Sequence, residues 1–322
     1  MPKIAVAEGD GIGKDVVPVA TRVLATVRPD LEFFPVEVGY GRWERTGEAI
    51  TSAEIGAMKE ADAVLFGAVT TPPDLDYRSV VVRIRKELDL YANVRPVRGG
   101  DADLVIVREN TEGLYSGIEE IGPDRATTLR LITRRGSERI ARFACSLAGD
   151  RRHLTIGHKA NVLKSDTLFR EVCIGVAKES GVSFREKFID ALCLDLLQHP
   201  QDYDVIVTEN MFGDILSDVA AYLVGGLGML PSANIGDRSS LFEPVHGSAP
   251  KHAGKNTANP IAAIRSGAML LDHLGDGENG ARIEEAIGKA LASGVKTRDL
   301  GGTAGTKEMG DAIIAALLLD IP

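Results

Sequence analysis

The stretch at residues 205–228 constrains the fold more than any other, because it joins a strand-like segment directly to a helix-like one. Its start, Val205–Thr208, is a short apolar run typical of a buried strand. The helical pattern that follows carries Asp214 and Asp218, and a spacing of four residues puts both carboxylates on one helical face. Two such carboxylates repel each other unless a cation lies between them, and Mg²⁺ or Mn²⁺ prefers oxygen ligands of this kind. The alternative is that Asp214 stabilises the helix N-terminus and Asp218 is solvated.

The rest of the sequence repeats this alternation, which predicts an α/β fold with a largely parallel sheet. We predict strands at residues 3–7, 31–38, 63–67, 104–107, 129–134, 153–157, 184–190 and 205–208. We predict helices from a glycine-rich turn at residue 9 to about residue 27, and at residues 52–60, 80–90, 137–148, 166–180, 191–198, 261–274, 281–293 and 306–319. Ser52 and Ser137 are the predicted N-caps of their helices. Residues 70–79 and 231–237 are predicted as loops.

Composition excludes several classes of partner and compartment. The net charge of −9 argues against nucleic acid or an anionic membrane surface as the main partner. Cys145, Cys173 and Cys193 lie in apolar contexts without CxxC spacing, which indicates buried thiols in a reducing compartment. The N-terminal residues do not have the pattern of a signal peptide, and the most apolar long stretch, residues 219–236, is interrupted by glycines and a proline. We therefore expect a cytoplasmic protein.

A group of arginines lies in the middle of the predicted α/β pattern. Its members are Arg83, Arg85, Arg95, Arg98 and Arg108. Each one alone is most simply a solvated surface charge. Placed in the second half of a helix and where strands meet loops, they are better positioned to converge on a ligand rich in carboxylates. The sequence therefore indicates a small acidic substrate.

An ordered set of motifs identifies the chain as resembling the β-decarboxylating dehydrogenases. These motifs are GDGIG, LDLYANVRP, RENTEGLY, HKANVL, GDILSD, GGLG, PSANIGD, FEPVHGSAP and ANP, and the resemblance as a whole runs from about residue 4 to residue 310. Members of that family oxidise 3-substituted malates such as isopropylmalate, isocitrate and homoisocitrate. Their α/β fold does not have the Rossmann fingerprint, and Gly9, Gly11 and Gly13 do not have its G-x-G-x-x-G spacing either. The resemblance implies a large cofactor-binding domain at residues 1–90 and 226–322, and a small domain at 91–225 with the metal site and the dimer interface.

The resemblance also implies a homodimer with shared active sites, or a larger assembly built from such dimers. It implies a role for each matching residue. The substrate loses its C2 hydride and then CO₂, which requires a base, a cation at the enolate oxygen and donors for the carboxylates. Arg85, Arg95 and Arg108 match the residues that bind the malate carboxylates, and Tyr115 matches the proton donor to the enolate carbon. Asp214 and Asp218 match ligands of Mg²⁺ or Mn²⁺, joined by Asp190 of the partner subunit. Lys159 of the partner subunit matches the base, the alternative being a surface ion pair.

The family's cofactor site corresponds to residue 71 and to residues 243–260. The matching residues are Thr71, Glu243, His246, Gly247, Lys251, His252 and Asn259. Members that use NAD have an aspartate after the SAP motif, where its carboxylate binds ribose hydroxyls and repels a 2′-phosphate. This chain has Lys251 there, which favours NADP over NAD by charge. The alternative is an exposed lysine in a loop that accepts NAD.

Three residues bear on the group at C3 of the substrate. Ser79 stands where isocitrate-type members use a serine for the additional carboxylate. Val81 stands where they have asparagine, and Val82 where a bacterial homoisocitrate enzyme has arginine. The two valines favour an aliphatic substituent, or a longer one whose carboxylate reaches Ser79. We therefore expect 3-isopropylmalate or homoisocitrate, with isocitrate as the alternative and a non-catalytic regulatory subunit as a remote one.

Overall fold

The computed structural model describes residues 1–73, 77–149 and 153–319. They form two compact units, each made of more than one chain segment. The first contains residues 1–88, 225–233 and 237 onward, and the second contains residues 89–224 and 234–236. None of the helices in the described residues is long and apolar enough to cross a membrane.

Strands and helices alternate along most of the chain. The strands are β1 (Lys3–Gly9), β2 (Glu32–Pro35), β3 (Ala63–Ala68), β4 (Ala92–Gly99), β5 (Ala102–Glu109), β6 (Glu119–Ile121), β7 (Ala126–Thr128), β8 (Leu154–His158), β9 (Phe184–Phe188), β10 (Val205–Thr208), β11 (Pro231–Ile235) and β12 (Ser240–Pro244). The helices are α1 (Gly13–Val27), α2 (Tyr40–Thr46), α3 (Ser52–Glu60), α4 (Val80–Glu87), α5 (Arg134–Ala148), α6 (Lys164–Glu179), α7 (Ile189–Gln198), α8 (Asn210–Ala221), α9 (Ile261–His273), α10 (Gly277–Ala292) and α11 (Thr306–Leu318).

The first unit is built on the strand order β2-β1-β3-β12-β11. β1 pairs in parallel with β2 and β3, and β3 pairs in parallel with β12. β3 is buried along its whole length, which is why its sequence is a continuous apolar run rather than an alternating one. Helix α1 packs against β1, β3, α9 and α11.

The second unit is built on the strand order β4-β5-β10-β8-β9, with β6 and β7 as a separate antiparallel hairpin. β4 and β5 are antiparallel, whereas β10 is parallel to both β5 and β8. Helices α5 and α6 pack on each other and contribute most of a buried apolar cluster with β8 and β10. The carboxyl ends of β8 and β10 lie at one edge of this sheet, because parallel strands point the same way. The predicted α/β class with largely parallel strands is confirmed.

Two predicted N-caps are one to four residues away from the real ones. Thr51 caps α3 in a reciprocal capping box with Glu54, so Ser52 is the first helical residue. Thr133 caps α5 by accepting the N–H of Gly136, and Ser137 instead donates its hydroxyl to the carbonyl of Thr133. In both cases a threonine just upstream had the required extended backbone, and the serine did not.

Several predicted elements were wrong or missing. The strand predicted at 129–134 is not formed: Leu131 makes only a single bridge with Gly113, and Arg134 already begins α5. The hairpin strand β7 lies just before this segment. The exposed apolar residues Leu129 and Leu131 produced the misleading strand pattern. The loop predicted at 231–237 contains β11, and β4, β6, β12 and α2 were not predicted. Asp190 is in the first turn of α7, not at the end of a strand. Residues 74–76 of the predicted 70–79 loop lie outside the described residues.

Candidate active site

Helix α8 carries the two predicted metal ligands, and the chain enters it from a completely buried strand. β10 ends at Thr208, and Glu209 then caps the helix by accepting the N–H of Phe212 at 3.0 Å. A carboxylate at this position both satisfies a free N–H group and interacts favourably with the helix dipole. The cap therefore fixes where α8 begins, and with it the face on which Asp214 and Asp218 lie.

Two arginines from neighbouring strands converge on Asp214. The register of β4 and β5 pairs Asn93 with Arg108, so Arg95 and Arg108 lie close to each other across the ladder. Nη1 of Arg108 donates to Oδ1 of Asp214, and Nη1 of Arg95 lies 3.4 Å from the same oxygen. Asn210 accepts from Nε and Nη2 of Arg108 at 3.0 and 2.8 Å. The structure therefore brings two of the three predicted substrate-binding arginines together.

Asp218 is one helical turn after Asp214 on α8. Its side chain is exposed to solvent, yet the protein atoms around it partly desolvate the carboxyl group and raise its pKa. The negative charge of Asp214 raises this pKa further, because it disfavours a second nearby anion. A divalent cation would relieve that repulsion, so the donor chemistry of this pair fits Mg²⁺ or Mn²⁺. Within the described part of the chain, no three His, Cys, Asp or Glu side chains are grouped to hold a metal.

Tyr115 faces the same cluster from a short 3₁₀ turn, Leu114–Ser116. Its hydroxyl donates to Oδ2 of Asp214 at 3.1 Å, and the Arg108 guanidinium lies 5.7 Å from its ring centre. Burial and the charge of Asp214 raise the pKa of Tyr115, so the phenol remains protonated at neutral pH. Gly113 precedes this turn with φ of +80°, and a Cβ there would lie 2.7 Å from Oε2 of Glu209. The glycine is therefore required for this close approach.

Lys159 and Asp190 form an ion pair within one chain. Lys159 directly follows β8, and its ammonium group contacts the carboxylate of Asp190 in the first turn of α7. The hydrogen bond from Lys159 lowers the pKa of Asp190. The structure thus brings together the two residues that the sequence assigned to the partner's active site.

In the first unit, Arg85 and Glu243 are each other's partners. Nη2 of Arg85 lies 2.9 Å from Oε1 of Glu243, and both side chains are about nine-tenths buried. Ser79 precedes α4 without capping it through its side chain, and Val81 and Val82 are half-buried in the first turn. Arg85 lies three and four residues after these valines, which places them along one side of the same short helix.

The remaining predicted cofactor residues differ in how firmly they are held. Asn259 is buried, donates to Asp299 at 3.0 Å and accepts the first N–H of α9. His246 bonds through Nδ1 to the carbonyl of Gly247, while its Nε2 is buried without a hydrogen-bond partner among the described residues. Burial lowers the pKa of His246, so its ring is neutral and suited to contact an uncharged base. Thr71 is exposed.

Lys251 and His252 lie in an exposed 3₁₀ turn, Pro250–His252. Neither side chain makes a hydrogen bond or ion pair with another residue in the part of the chain that the structure describes. Both are therefore available to an anionic ligand.

Sequence reasoning missed the buried amides that hold the arginines. Nε of Arg95 donates to Asn93 at 2.9 Å, and Asn93 in turn donates to Asn234 at 2.8 Å. Asn110 also donates to Asn234, at 2.9 Å. The available signal was an asparagine beside apolar residues, because a buried amide must have hydrogen-bond partners.

Comparison with known proteins decides the family. The model of the family described as isocitrate/isopropylmalate dehydrogenase matches residues 3–313. The chain belongs to this family. It is 44% identical over 321 residues to the isocitrate/homoisocitrate dehydrogenase of Pyrococcus horikoshii, covering 98% of this chain and 92% of the relative. It is 47% identical over 331 residues to the 3-isopropylmalate/3-methylmalate dehydrogenase of Methanocaldococcus jannaschii, covering 97% of this chain and 98% of the relative. The solved structure of isocitrate dehydrogenase from Methylococcus capsulatus matches with a TM-score of 0.94 at 41% identity, covering 98% and 99% of the two chains.

Membership confirms the resemblance seen in the motifs, and with it the reaction class. The chain is a dehydrogenase of the isocitrate/isopropylmalate family, and it catalyses the oxidative decarboxylation of a 3-substituted malate. Dehydrogenases of this family use a divalent metal ion and NAD or NADP. The arginines, carboxylates and phenol assembled around α8 are the residue types that this chemistry requires.

Proposed function

We propose that the physiological substrate is 3-isopropylmalate or homoisocitrate. The observation that carries this proposal is the first turn of α4, where Val81 and Val82 are half-buried and follow Ser79, whose hydroxyl does not cap the helix. Apolar side chains suit an aliphatic group at C3, and the hydroxyl suits a carboxylate at the end of a longer one. Isocitrate is the second candidate, because Ser79 alone would serve its additional carboxylate. Relatives of similar identity have names that include each of these substrates.

In this proposal the substrate carboxylates are bound by Arg85, Arg95 and Arg108. Asp214 and Asp218, together with Asp190 of the partner subunit, hold Mg²⁺ or Mn²⁺. When bound, the cation supplies positive charge to the substrate oxygen and NADP accepts the hydride. Lys159 of the partner subunit takes the hydroxyl proton, and Tyr115 gives its phenolic proton to the enolate carbon. The protonated state and the position of Tyr115, 3.1 Å from Asp214, support this role.

We further propose a homodimer with shared active sites. Exposed apolar side chains on α7, on α8 and around the β6–β7 hairpin support a second copy as the partner. They include Ile121, Leu129, Leu194, Leu197 and Ile215. Each chain contributes only two carboxylates from α8, so Asp190 of the partner subunit would complete a three-carboxylate site. We assign cofactor binding to the first unit, residues 1–88 and 225 onward in the main, and the metal site and dimer contact to the second.

The proposed cofactor is NADP in preference to NAD. Lys251 and His252 support it, because both are exposed and without partners in the described chain, and the 2′-phosphate carries close to two negative charges. The unpaired cysteines, two of them buried, support a location in the reducing cytoplasm.

A substrate panel tests the proposal. We expect Mg²⁺-dependent NADPH formation with isopropylmalate or homoisocitrate at a higher kcat/KM than with isocitrate. The variant Ser79→Ala sharpens the result, because it removes only the hydroxyl at the start of α4. It should lower kcat/KM for homoisocitrate and isocitrate and leave isopropylmalate unchanged. A parent enzyme that is fastest with isocitrate would overturn the choice of substrate.

Mixed dimers test the shared site. Lys159→Ala and Asp214→Ala should each be inactive as homodimers. In the mixed dimer, one site carries both lesions and the other carries neither, so we expect about half of the parent activity. If purified mixed dimers are no more active than either variant alone, Lys159 and Asp214 of the same chain form each active site, and the shared site is wrong.

A further inference from the structure

A completely buried carboxylate lies directly behind the proposed base. Asp166 is in the first turn of α6, and its side chain has no exposed surface. Its Oδ2 accepts the backbone N–H of Lys159 at 2.5 Å. The other oxygen, Oδ1, accepts from Nη2 of Arg130 at 2.6 Å. Asp166 therefore joins the backbone of Lys159 to a guanidinium that the sequence motifs did not single out.

Arg130 lies between two buried carboxylates. Its side chain is 10% exposed, and besides Asp166 it contacts Oγ of Ser165 through Nη1 at 2.7 Å. Nη2 is 3.6 Å from Oε1 of Glu209, the residue that caps α8. The guanidinium also lies 5.4 Å from the ring centre of Phe212 in the first turn of that helix. The Arg130 guanidinium thus lies beside both the segment that begins with Lys159 and the helix that carries Asp214 and Asp218.

This arrangement fixes the backbone at Lys159 more firmly than a surface loop would be fixed. A buried carboxylate needs a charge partner, and its removal leaves an uncompensated charge in the interior. The carbonyl of Lys159 is held as well, because it accepts the N–H groups of Val162 and Leu163 at 3.0 and 2.9 Å. Hydrogen bonds therefore hold both backbone polar groups of Lys159. Only its side chain is left to change conformation.

We propose that Arg130 and Asp166 are positioning residues for Lys159, and that they act on the active site of the other subunit. The second half of this statement rests on the proposed shared site, in which each Lys159 serves the partner. Asp166 holds the Lys159 backbone. Arg130 donates from Nη2 to Asp166 and from Nη1 to Ser165, and a lysine could not reproduce this pair of hydrogen bonds. The competing possibility is that Arg130 acts within its own subunit, through Glu209 and α8.

Steady-state kinetics of Arg130→Lys and Asp166→Asn test the positioning role. Arg130→Lys keeps a positive charge between the two carboxylates, so folding is retained while the planar fork is lost. We expect kcat to fall on the order of 100-fold, because misplacing a catalytic group by about 1 Å has effects of that size. KM for the substrate and the Mg²⁺ concentration for half-activation should stay within about twofold, because Arg95, Arg108 and α8 are not moved.

A matched control separates positioning from general destabilisation. Asp276 also pairs with an arginine, Arg28, at 2.7 Å, and it caps α10 far along the chain from Lys159 and Asp214. Asp276→Asn makes the same change from carboxylate to amide and should lower the melting temperature without lowering kcat at 25 °C. Unchanged kcat in both Arg130→Lys and Asp166→Asn would overturn the proposal, as would equal loss of kcat in the Asp276→Asn control.

Mixed dimers decide in which subunit Arg130 acts. If it acts through Lys159, a dimer of Arg130→Lys with Asp214→Ala contains one undamaged site and regains about half of the parent activity. A dimer of Arg130→Lys with Lys159→Ala contains no undamaged site and stays low. If Arg130 acts through α8, these two results are exchanged, and the proposal is wrong.

The mixed dimer of Lys159→Ala with Asp214→Ala serves as the reference in the same experiment. Recovery there confirms the shared site independently of Arg130. Absence of recovery there overturns the shared site alone, and the kcat and KM measurements on the homodimeric variants still decide whether Arg130 and Asp166 position Lys159.

Discussion

The arginines of the cluster around α8 are buried, whereas Lys251 and His252 in the loop at residues 243–260 are exposed. In the cluster, the side chains of Arg95 and Arg108 are 5% and 2% exposed, and neighbouring amides hold them around Asp214. In the loop, Lys251 and His252 are exposed on a single 3₁₀ turn. A buried guanidinium held by several acceptors has almost no freedom to reorient, whereas an exposed lysine samples many rotamers.

In the proposed function, this difference separates two tasks of one enzyme. The groups of the α8 cluster must be in place before the substrate arrives, since preorganised charge is what stabilises a transition state. In the role proposed for them, the exposed groups of the loop only have to prefer one cofactor over another, and a flexible point charge is sufficient for that. We therefore expect changes in the cluster to abolish activity, and changes in the loop to redirect it.

The largest effect should come from Asp214→Asn. The substitution removes one of the two α8 carboxylates and leaves Arg108 its hydrogen bonds to Asn210, so the fold should survive. We expect kcat to fall by at least about 100-fold, the loss typical when one electrostatic group of an active site is removed. The measurement is activity against Mg²⁺ concentration, with a melting curve as control. A variant with normal activity and metal affinity would remove Asp214 from its proposed role.

Two glycine-to-alanine variants test the same comparison by their melting temperatures. Gly113 and Gly254 both have positive φ, +80° and +71°, but only Gly113 is crowded by a side chain, that of Glu209. Either Gly→Ala change costs about 1–3 kcal/mol for a positive-φ backbone that L-residues rarely adopt. Gly113→Ala should cost about 1–3 kcal/mol more, because its Cβ would overlap a buried carboxylate. Equal melting temperatures for the two variants would show that the α8 cluster is no more tightly packed than the loop.

Lys251→Asp should redirect the enzyme rather than disable it. The new carboxylate repels the 2′-phosphate of NADP and offers an acceptor to the ribose hydroxyls of NAD. We expect the NADP/NAD ratio of kcat/KM to fall roughly 10- to 100-fold, the value of one or two charged hydrogen bonds. The KM for the organic substrate should hardly change. A parent that prefers NAD, or a ratio that does not move, would show that Lys251 does not contact the cofactor.

The smallest effect should be that of salt on the parent enzyme. Exposed charge pairs are screened, since the Debye length falls from about 10 Å at 0.1 M salt to about 3 Å at 1 M. Raising the salt concentration should therefore increase KM for NADP by a few-fold more than KM for NAD. Parallel changes for the two cofactors would place the charge of Lys251 away from the 2′-phosphate.

Much of the architecture could be predicted from the sequence because it follows from local pattern. The strand Val205–Thr208 was predicted with its observed bounds, and α3 also matches residue for residue. The predictions failed where chain patterns are ambiguous. β4 contains two arginines and a proline, and β11 resembles a loop because serine and asparagine interrupt it. These strands exist because partner strands satisfy their backbone, which no local pattern reveals.

For the site, the sequence by itself determined which residue types are present and in what order, and therefore the family and the reaction class. The spacing of Asp214 and Asp218 follows from helical periodicity alone. Only the tertiary structure decided that Arg95 and Arg108 meet at Asp214, and that Asp166 and Arg130 stand behind Lys159. These contacts join residues up to 119 positions apart, so they depend on strand register and burial. The helical period sets neighbours within a turn, whereas the register of a sheet sets neighbours across the whole chain.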